Sequence, residues 1–448
     1  MSTHQANSSS LRWLFLDLNS YFASIEQQLR PELRNRPIAV VPVMADTTCA
    51  IAASYEAKAF GVKTGTLVAD AKRLCPKIAL VEARHEIYVE YHHKIIRAVE
   101  KCAPISSVQS IDEMAVNLMG REQSLLNALD LARAIKQSIR DRVGHTLRCS
   151  VGLAPNRYLA KIASDMDKPD GLVALAPDVL AAALSRLQLR DLPGVGARME
   201  RRLHQHHIHT MPQLLSLSRE HMNRAWGGIN GERLWHWLRG EDFNDSSPDH
   251  PKSVSHSHVL PPELRTVEGA RAVAHKLLHK AALRLRTAGL WATNVSLSLR
   301  YLVPRSSTPS HSSPRAAWSH TVSVIECQDT QTLIEALINL WNLRPQGPAY
   351  QRPFHVGVWL GDLVPNHLHT LSLFSHLETE SHRTRLSVTM DALNHKYGLD
   401  TLMPGGMLLA KAAAPTRIAF TAIPDLFEHE IPGVNDRDLN NPSSQSRL

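Results

Sequence analysis

Apolar residues in this chain gather in short runs, and the runs switch between strand-like and helix-like spacing. The first run, Trp13-Leu14-Phe15-Leu16, is unbroken and closes on Asp17, the pattern of a strand buried in a core. A helix over 21–28 and a strand over 38–43 follow. Residues 105–111 read as another buried strand, this one closing on the adjacent acids Asp112 and Glu113. A helix over 123–142 and a strand over 146–152 complete a mixed pattern, which predicts helices on one face of an antiparallel-rich sheet. From 172 to 242 the spacing turns helical with short loops. Past a Pro/Ser/Asp linker at 243–252 come a strand over 252–258, a helix over 267–288, strands over 295–302, 319–325 and 355–360, and a helix over 332–342. A Ser/Pro-rich stretch at 304–316 reads as an inserted loop, 388–397 as helical and 416–421 as extended, and residues 1–10 and 435–448 read as disordered.

The acids bring chemistry to this pattern. Carboxylates at the ends of neighbouring core strands meet at one point, and three of them can hold two Mg²⁺ ions about 3.5–4 Å apart. Mg²⁺ prefers a few carboxylates plus substrate phosphates to an all-protein cage, so phosphoryl or nucleotidyl transfer is the natural reaction. The ordinary alternative for strand-end acids is a solvated or helix-capping role.

Charge adds to the picture. The 448 residues carry 50 Lys and Arg against 42 acids, a net charge of +8 and a pI near 9.3, compatible with a nucleic-acid partner. Between Lys252 and Arg300 the only acids are Glu263 and Glu268, among many basic residues, which predicts a phosphate-facing segment. Five cysteines form no Cys-x-x-Cys pair and read as reduced thiols. No stretch approaches the length of a membrane span, and residues 1–10 resemble neither a signal peptide nor a presequence. A soluble cytoplasmic, nucleoid-associated protein is expected. The cluster His204, His206, His207 and His209 lacks a second ligand set and is read as surface histidines.

Five motifs then fall in one order: Asp17 to Glu26 (DLNSYFASIE), Ser54 to Lys58 (SYEAK) with Phe60-Gly-Val62, Ser110 to Met114 (SIDEM), Ser150 to Asn156 (SVGLAPN), and Leu159 to Gly171 (LAKIASDMDKPDG). Together they resemble the Y-family translesion DNA polymerases, in the DNA polymerase IV-like and SOS-mutagenesis branches. The resemblance is strong from Leu11 to about Asp242 and looser to about Glu428.

It implies an α+β right-hand architecture. Residues 11–30 and 78–171 would form a ferredoxin-like palm, 31–77 small fingers, 172–242 a helical thumb with a helix-hairpin-helix, 253–363 a little finger and 364–448 a C-terminal tail. By the same resemblance Asp17, Asp112 and Glu113 would be catalytic metal ligands, with the Leu18 carbonyl as a further one. Phe22 would be the steric gate against ribose. Tyr55, Lys58 and Lys168 would hold the incoming triphosphate. Lys58 stands where the family usually has Arg, so the planar, bidentate fork is lost although the charge is kept. Asn19 stands where many relatives have Asp.

In the thumb, Leu192-Pro-Gly-Val-Gly196 precedes a basic helix start. Gly194, Gly196 and Arg198 are candidates to grip a DNA phosphate without reading sequence. A second glycine turn, Gly227 to Gly231, reads as structural. Thr370-Leu-Ser-Leu-Phe374 resembles the peptide by which bacterial polymerases dock on the sliding clamp, with Leu371, Leu373 and Phe374 as anchors. The expected partners are primer-template DNA, dNTPs, the clamp and SOS mutagenesis accessory proteins, with no membrane. The expected activity is low-fidelity, template-directed DNA synthesis with two Mg²⁺ ions. The alternative is a catalytically weak scaffold bound to DNA and clamp; a metal-dependent nuclease would not need Phe22, Tyr55 or Lys168.

Overall fold

A computed structural model describes residues 11–46, 48–243, 251–302, 315–370, 377–398, 400–411 and 413–414. Residues 1–10, most of the linker, nearly all of the loop at 304–316, the candidate clamp anchors Leu371, Leu373 and Phe374, and the segments 416–421 and 435–448 lie outside them. The chain divides into two compact units, with the boundary at residue 245.

The first unit is built on a five-stranded sheet. Its central strand, Trp13–Leu18, pairs antiparallel with Glu113–Asn117 on one side and Cys149–Ala154 on the other. Ser107–Val108 and Leu172–Ala174 form the edges. Alternation decides the two faces. Leu14, Leu16 and Leu18 pack with the helices His85–Glu100 and Leu125–Arg142. Phe15, between them, points the other way and packs under the helix Arg157–Met166. The expectation of helices on one face is corrected: this sheet is covered on both. Gly152 explains how the second helix comes so close, since a Cβ there would stand 2.0 Å from the Ala160 carbonyl oxygen.

The run 105–111 also differs from its expectation. Only Ser107–Val108 is a strand, and the acids open the next strand rather than close this one. Ser106, Gln109 and Ser110 interrupt the run with groups that bond to backbone or turn, and the Gln109 and Ser110 amides both donate to the Glu113 carbonyl. The continuous buried segment comes after the acids, at Met114, Ala115 and Val116.

A three-stranded sheet, in the order Ala52–Ala53, Ile38–Val41, Ala79–Glu82, carries the short helix Tyr55–Lys58. Ser54 caps that helix, its hydroxyl accepting from the Ala57 amide at 3.3 Å. Five helices between Pro177 and Trp237 share a core of Leu184, Leu203, Leu214, Met222 and Leu234.

The second unit is a four-stranded antiparallel sheet in the order Arg315–Cys327, Leu290–Leu302, Pro353–Gly361, Ser253–Val259. Val295, Leu297, Leu299 and Tyr301 face the helices Val267–Thr287 and Thr330–Asn342. The alternate residues Asn294, Ser296, Ser298 and Arg300 lie on the face away from those helices, with Ser319 and Thr321 opposite Ser298 and Ser296. Residues beyond 363 add to this unit. The helix Leu377–Tyr397 and the turn Gly405–Ala410 pack on Val267–Thr287 and Thr330–Asn342, with Ala410 in the core.

That addition changes the meaning of the basic stretch at 252–300. Lys276 is buried on Asp400 at 3.0 Å and also donates to the Lys411 carbonyl. Arg286 forms a two-pronged pair with Asp391 at 2.6 and 2.8 Å. Two of the cations expected to meet phosphate are instead internal, neutralised by acids far along the chain. Arg271, Arg284 and Arg300 remain exposed.

Candidate active site

Asp17 and Glu113 are direct partners across the two antiparallel strands, one near the end of its strand and the other at the start. Asp112 precedes Glu113, so the three acids sit together at one end of the two inner strands. The hairpin before them is pinned twice. Ser110 Oγ donates to Asp112 Oδ1 at 2.6 Å, and His92 Nδ1 donates to the Ile111 carbonyl at 2.7 Å. The Leu18 amide donates to the Asp112 carbonyl at 2.9 Å, placing Leu18 backbone beside the second acid.

Two lysines meet these acids. Lys161 Nζ lies 2.5 Å from Asp17 Oδ2 and 2.6 Å from Glu113 Oε1, with Asp165 at 3.3 Å. Lys168 Nζ bridges Asp17 Oδ1 at 2.8 Å and Asp165 Oδ1 at 2.7 Å. Burial alone would push the Asp17 carboxyl up, but Lys161 and Lys168 outweigh it and hold it below its ordinary value. Asp112 goes the other way: burial and the charge of Asp17 raise it against the Ser110 bond. Glu113 is raised by burial more than Lys161 lowers it. Lys161 stays above the ordinary lysine range because Asp17, Asp165 and Glu113 overcome its burial.

Tyr55 and Lys58 reach the same place from the short helix. The Tyr55 phenol is pushed up to about 12 by burial and by the charges of Asp17 and Asp165. Lys58 is lowered by burial and by repulsion from Lys168, against the pull of Asp17. Its ammonium lies 4.2 Å from the centre of the Tyr55 ring. Asp17, Tyr55, Lys58 and Lys168 are thus one electrostatic neighbourhood, as their motifs implied.

Phe22 is half-buried in the first turn of the helix Tyr21–Leu29, stacked on Tyr88 with ring centres 4.4 Å apart and planes 14° from parallel. Tyr88 is itself fixed, its hydroxyl donating to Glu26 at 2.8 Å. Arg84 forks onto the same fully buried carboxylate at 2.6 and 3.0 Å. A charge with no exposure is tolerated there because three hydrogen bonds and a second cation, Arg30 at 3.6 Å, meet its two oxygens.

Three residues of this site were given no role by the sequence reading. Lys161 and Asp165 sit in a quoted motif without an assigned role; their i, i+4 spacing on one helix face was the available signal. Asn19 is buried and ties the Lys168 loop down: its Oδ1 accepts the Asp170 amide at 2.7 Å, and its Nδ2 donates to Ser150 Oγ at 3.1 Å. Only the strand pairing brings Ser150 opposite Asp17.

In the thumb region Gly194 has φ +89°, a conformation that favours glycine, with open space where a Cβ would point. Gly196 caps the helix Ala197–Gln205, and Gly194, Gly196 and Arg198 are all exposed. The helix N-terminus therefore presents free amides to solvent.

Among the described residues no three His, Cys, Asp or Glu side chains converge as they stand to hold a metal ion. The donor chemistry nevertheless fits a hard divalent cation. Asp17, Asp112 and Glu113 offer only oxygens, burial and then their mutual repulsion raise Asp112 and Glu113, and an ammonium already bridges Asp17 and Glu113.

Acids on paired palm-like strands, lysines from the helix beside them and from the small finger-like sheet, and an anion-ready helix turn define a nucleotidyl transferase of the DNA polymerase class. The impB/mucB/samB family model matches residues 16–165 and its C-terminal domain model residues 251–373. A thumb-domain model described for DNA polymerase iota matches residues 190–242. DNA polymerase IV of Moorella thermoacetica is 34% identical over 397 residues, spanning 87% of this chain and 94% of its own length. DNA polymerase IV of Pelotomaculum thermopropionicum is 31% identical over 410 residues, spanning 88% and 96%. A solved chimera of the Y-family polymerases Dbh and Dpo4 has a similar fold, with a TM-score of 0.64 at 23% identity over 79% of this chain and 99% of that one. The chain belongs to the Y-family of translesion DNA polymerases. That family generally depends on divalent metal.

Proposed function

We propose that this chain is a template-directed, low-fidelity DNA polymerase, joining dNTPs to a primer 3′-hydroxyl on damaged templates. The observation that carries the reading is the meeting of Asp17, Asp112 and Glu113 with Tyr55, Lys58 and Lys168 at one end of the central strands. Two Mg²⁺ ions held by Asp17, Asp112, Glu113 and the Leu18 carbonyl would supply Lewis-acid stabilisation of attacking and leaving oxygens. The protein's own part is positional. Lys58 and Lys168 neutralise the triphosphate and Tyr55 bonds to it, so the reacting ends are held in line. Phe22, braced by Tyr88, fills the space a ribose 2′-hydroxyl would need.

DNA is gripped through its backbone. The exposed amides at Gly194 and Gly196 with Arg198 suit one phosphate. The polar open face of the second unit's sheet, with Arg300, suits others. Docking on the sliding clamp through Leu371, Leu373 and Phe374, help from SOS mutagenesis proteins and a cytoplasmic, nucleoid-associated location complete the proposal. No helix among the described residues is long and apolar enough to cross a membrane.

Primer extension on undamaged and abasic templates, with Mg²⁺ and dNTPs, tests the reading. Wild type should extend, and Asp112→Ala with Glu113→Ala should not. No extension by DNA-binding wild type, even with clamp added, would overturn catalysis and favour a scaffold.

A further inference from the structure

Lys161 is held where its ammonium has little choice. The helix Arg157–Met166 lies against the sheet through Gly152, and Lys161 Nζ passes 5.4 Å from the centre of the Phe15 ring. Its ammonium is in direct charged contact with both Asp17 and Glu113, at 2.5 and 2.6 Å. A divalent cation bridging the same two carboxylates would need that space and those lone pairs. A third acceptor stands beside it: Asp165, one helical turn on, lies 3.3 Å away and outside the three acids.

We propose that Lys161 is an internal counter-cation which draws Asp17 and Glu113 together in the free enzyme, and which is displaced toward Asp165 when a divalent cation binds. Lys161 is a positioning residue in this account, acting on the acids and never on substrate. The proposal rests on the metal reading of Asp17 and Glu113 given above. Physically it is a competition between two cations for one pair of carboxylates. Without Lys161, two acids facing each other across antiparallel strands would repel and splay before metal arrived. With it, the site stays assembled at the cost of metal affinity, and Asp165 limits that cost by receiving the displaced ammonium.

Competition makes the two variants move in opposite directions. Manganese(II) would be titrated into the full chain without DNA, with free ion read from its electron paramagnetic resonance signal. Lys161→Met should bind Mn²⁺ about tenfold tighter, within the range of couplings between two ligands. Asp165→Asn should bind it several-fold more weakly, because the ammonium loses its refuge. Asp17→Asn, the control, should lose most of the binding. Unchanged or weaker binding by Lys161→Met, with Asp17→Asn still defective, would overturn the counter-cation and leave the metal site standing. Wild-type binding by Asp17→Asn would overturn both. Circular dichroism reports whether each variant folds. If Lys161→Met does not, Asp165→Asn decides, and unchanged affinity there overturns the proposal.

Discussion

Asp391→Ala should destabilise the second unit severely, although residue 391 lies beyond the stretch matched by the C-terminal family domain model. Asp391 and Arg286 are 7% and 6% exposed at their side chains and bonded at 2.6 and 2.8 Å. Removing one partner of a buried pair leaves the other charge uncompensated, at about 3–5 kcal/mol. Arg286 keeps two acceptors, the Gln328 carbonyl at 2.8 Å and the Thr330 hydroxyl at 3.1 Å, which favours the lower end. In a unit of this size each kcal/mol shifts the unfolding temperature by about 2–4 °C, so the expected loss is about 6–12 °C. Differential scanning calorimetry on the full chain would follow it, with hydrogen exchange of 267–287 identifying the unit that melts. Replacing both partners, Arg286→Met with Asp391→Leu, should recover most of the loss because no buried charge is then stranded. A shift below about 2 °C for Asp391→Ala, or a double variant worse than the single, would refute the reasoning.

Two further outcomes follow from the electrostatics. Burial, joined by repulsion from Arg284 and Lys280, lowers His256 to about 4; burial likewise lowers His92 to about 4 against its bond to Ile111. Both are depressed below the unfolded value of about 6.5, so they add stability above that pH and lose it as pH falls toward 4, each by about 2 kcal/mol at pH 5. Unfolding midpoints should therefore drop between pH 7.5 and 5, with a shallower drop in His256→Gln; a flat profile would contradict the assignment. Separately, Lys58→Arg should lower the KM for dNTP a few-fold at little change in kcat, because a guanidinium forks onto phosphate and resists the burial that weakens Lys58. Steady-state single-nucleotide insertion measures it, and an unchanged or higher KM would place Lys58 off the triphosphate.

Local pattern by itself determined a good deal here. The strand ending at Asp17, the helices at 21–28 and 267–288 and the strands of the second unit follow from apolar spacing, which reports which face is buried. The acid pair at 112–113, Tyr55, Lys58 and Lys168 were singled out through the family motifs they resemble, and the structure brings them into one neighbourhood. What the chain order could not carry was pairing. Asp17 meets Glu113 and Ser150 only because three strands lie in one antiparallel register. A polar-interrupted run at 105–111 resembled a strand because burial of Ile105 and Ile111 was visible while the turn bonds of Ser110 were not. Counting charges along 252–300 pointed to phosphate for Lys276 and Arg286, whose neutralising acids, Asp400 and Asp391, lie more than a hundred residues away. Lys161 showed the same limit at the site itself: its motif gave it no role, and only the packing of that helix over Phe15 set its ammonium between Asp17 and Glu113. Periodicity is a local property that sequence records directly, whereas the partner of a buried charge is chosen by the fold, since Coulomb attraction depends on distance through space and not along the chain.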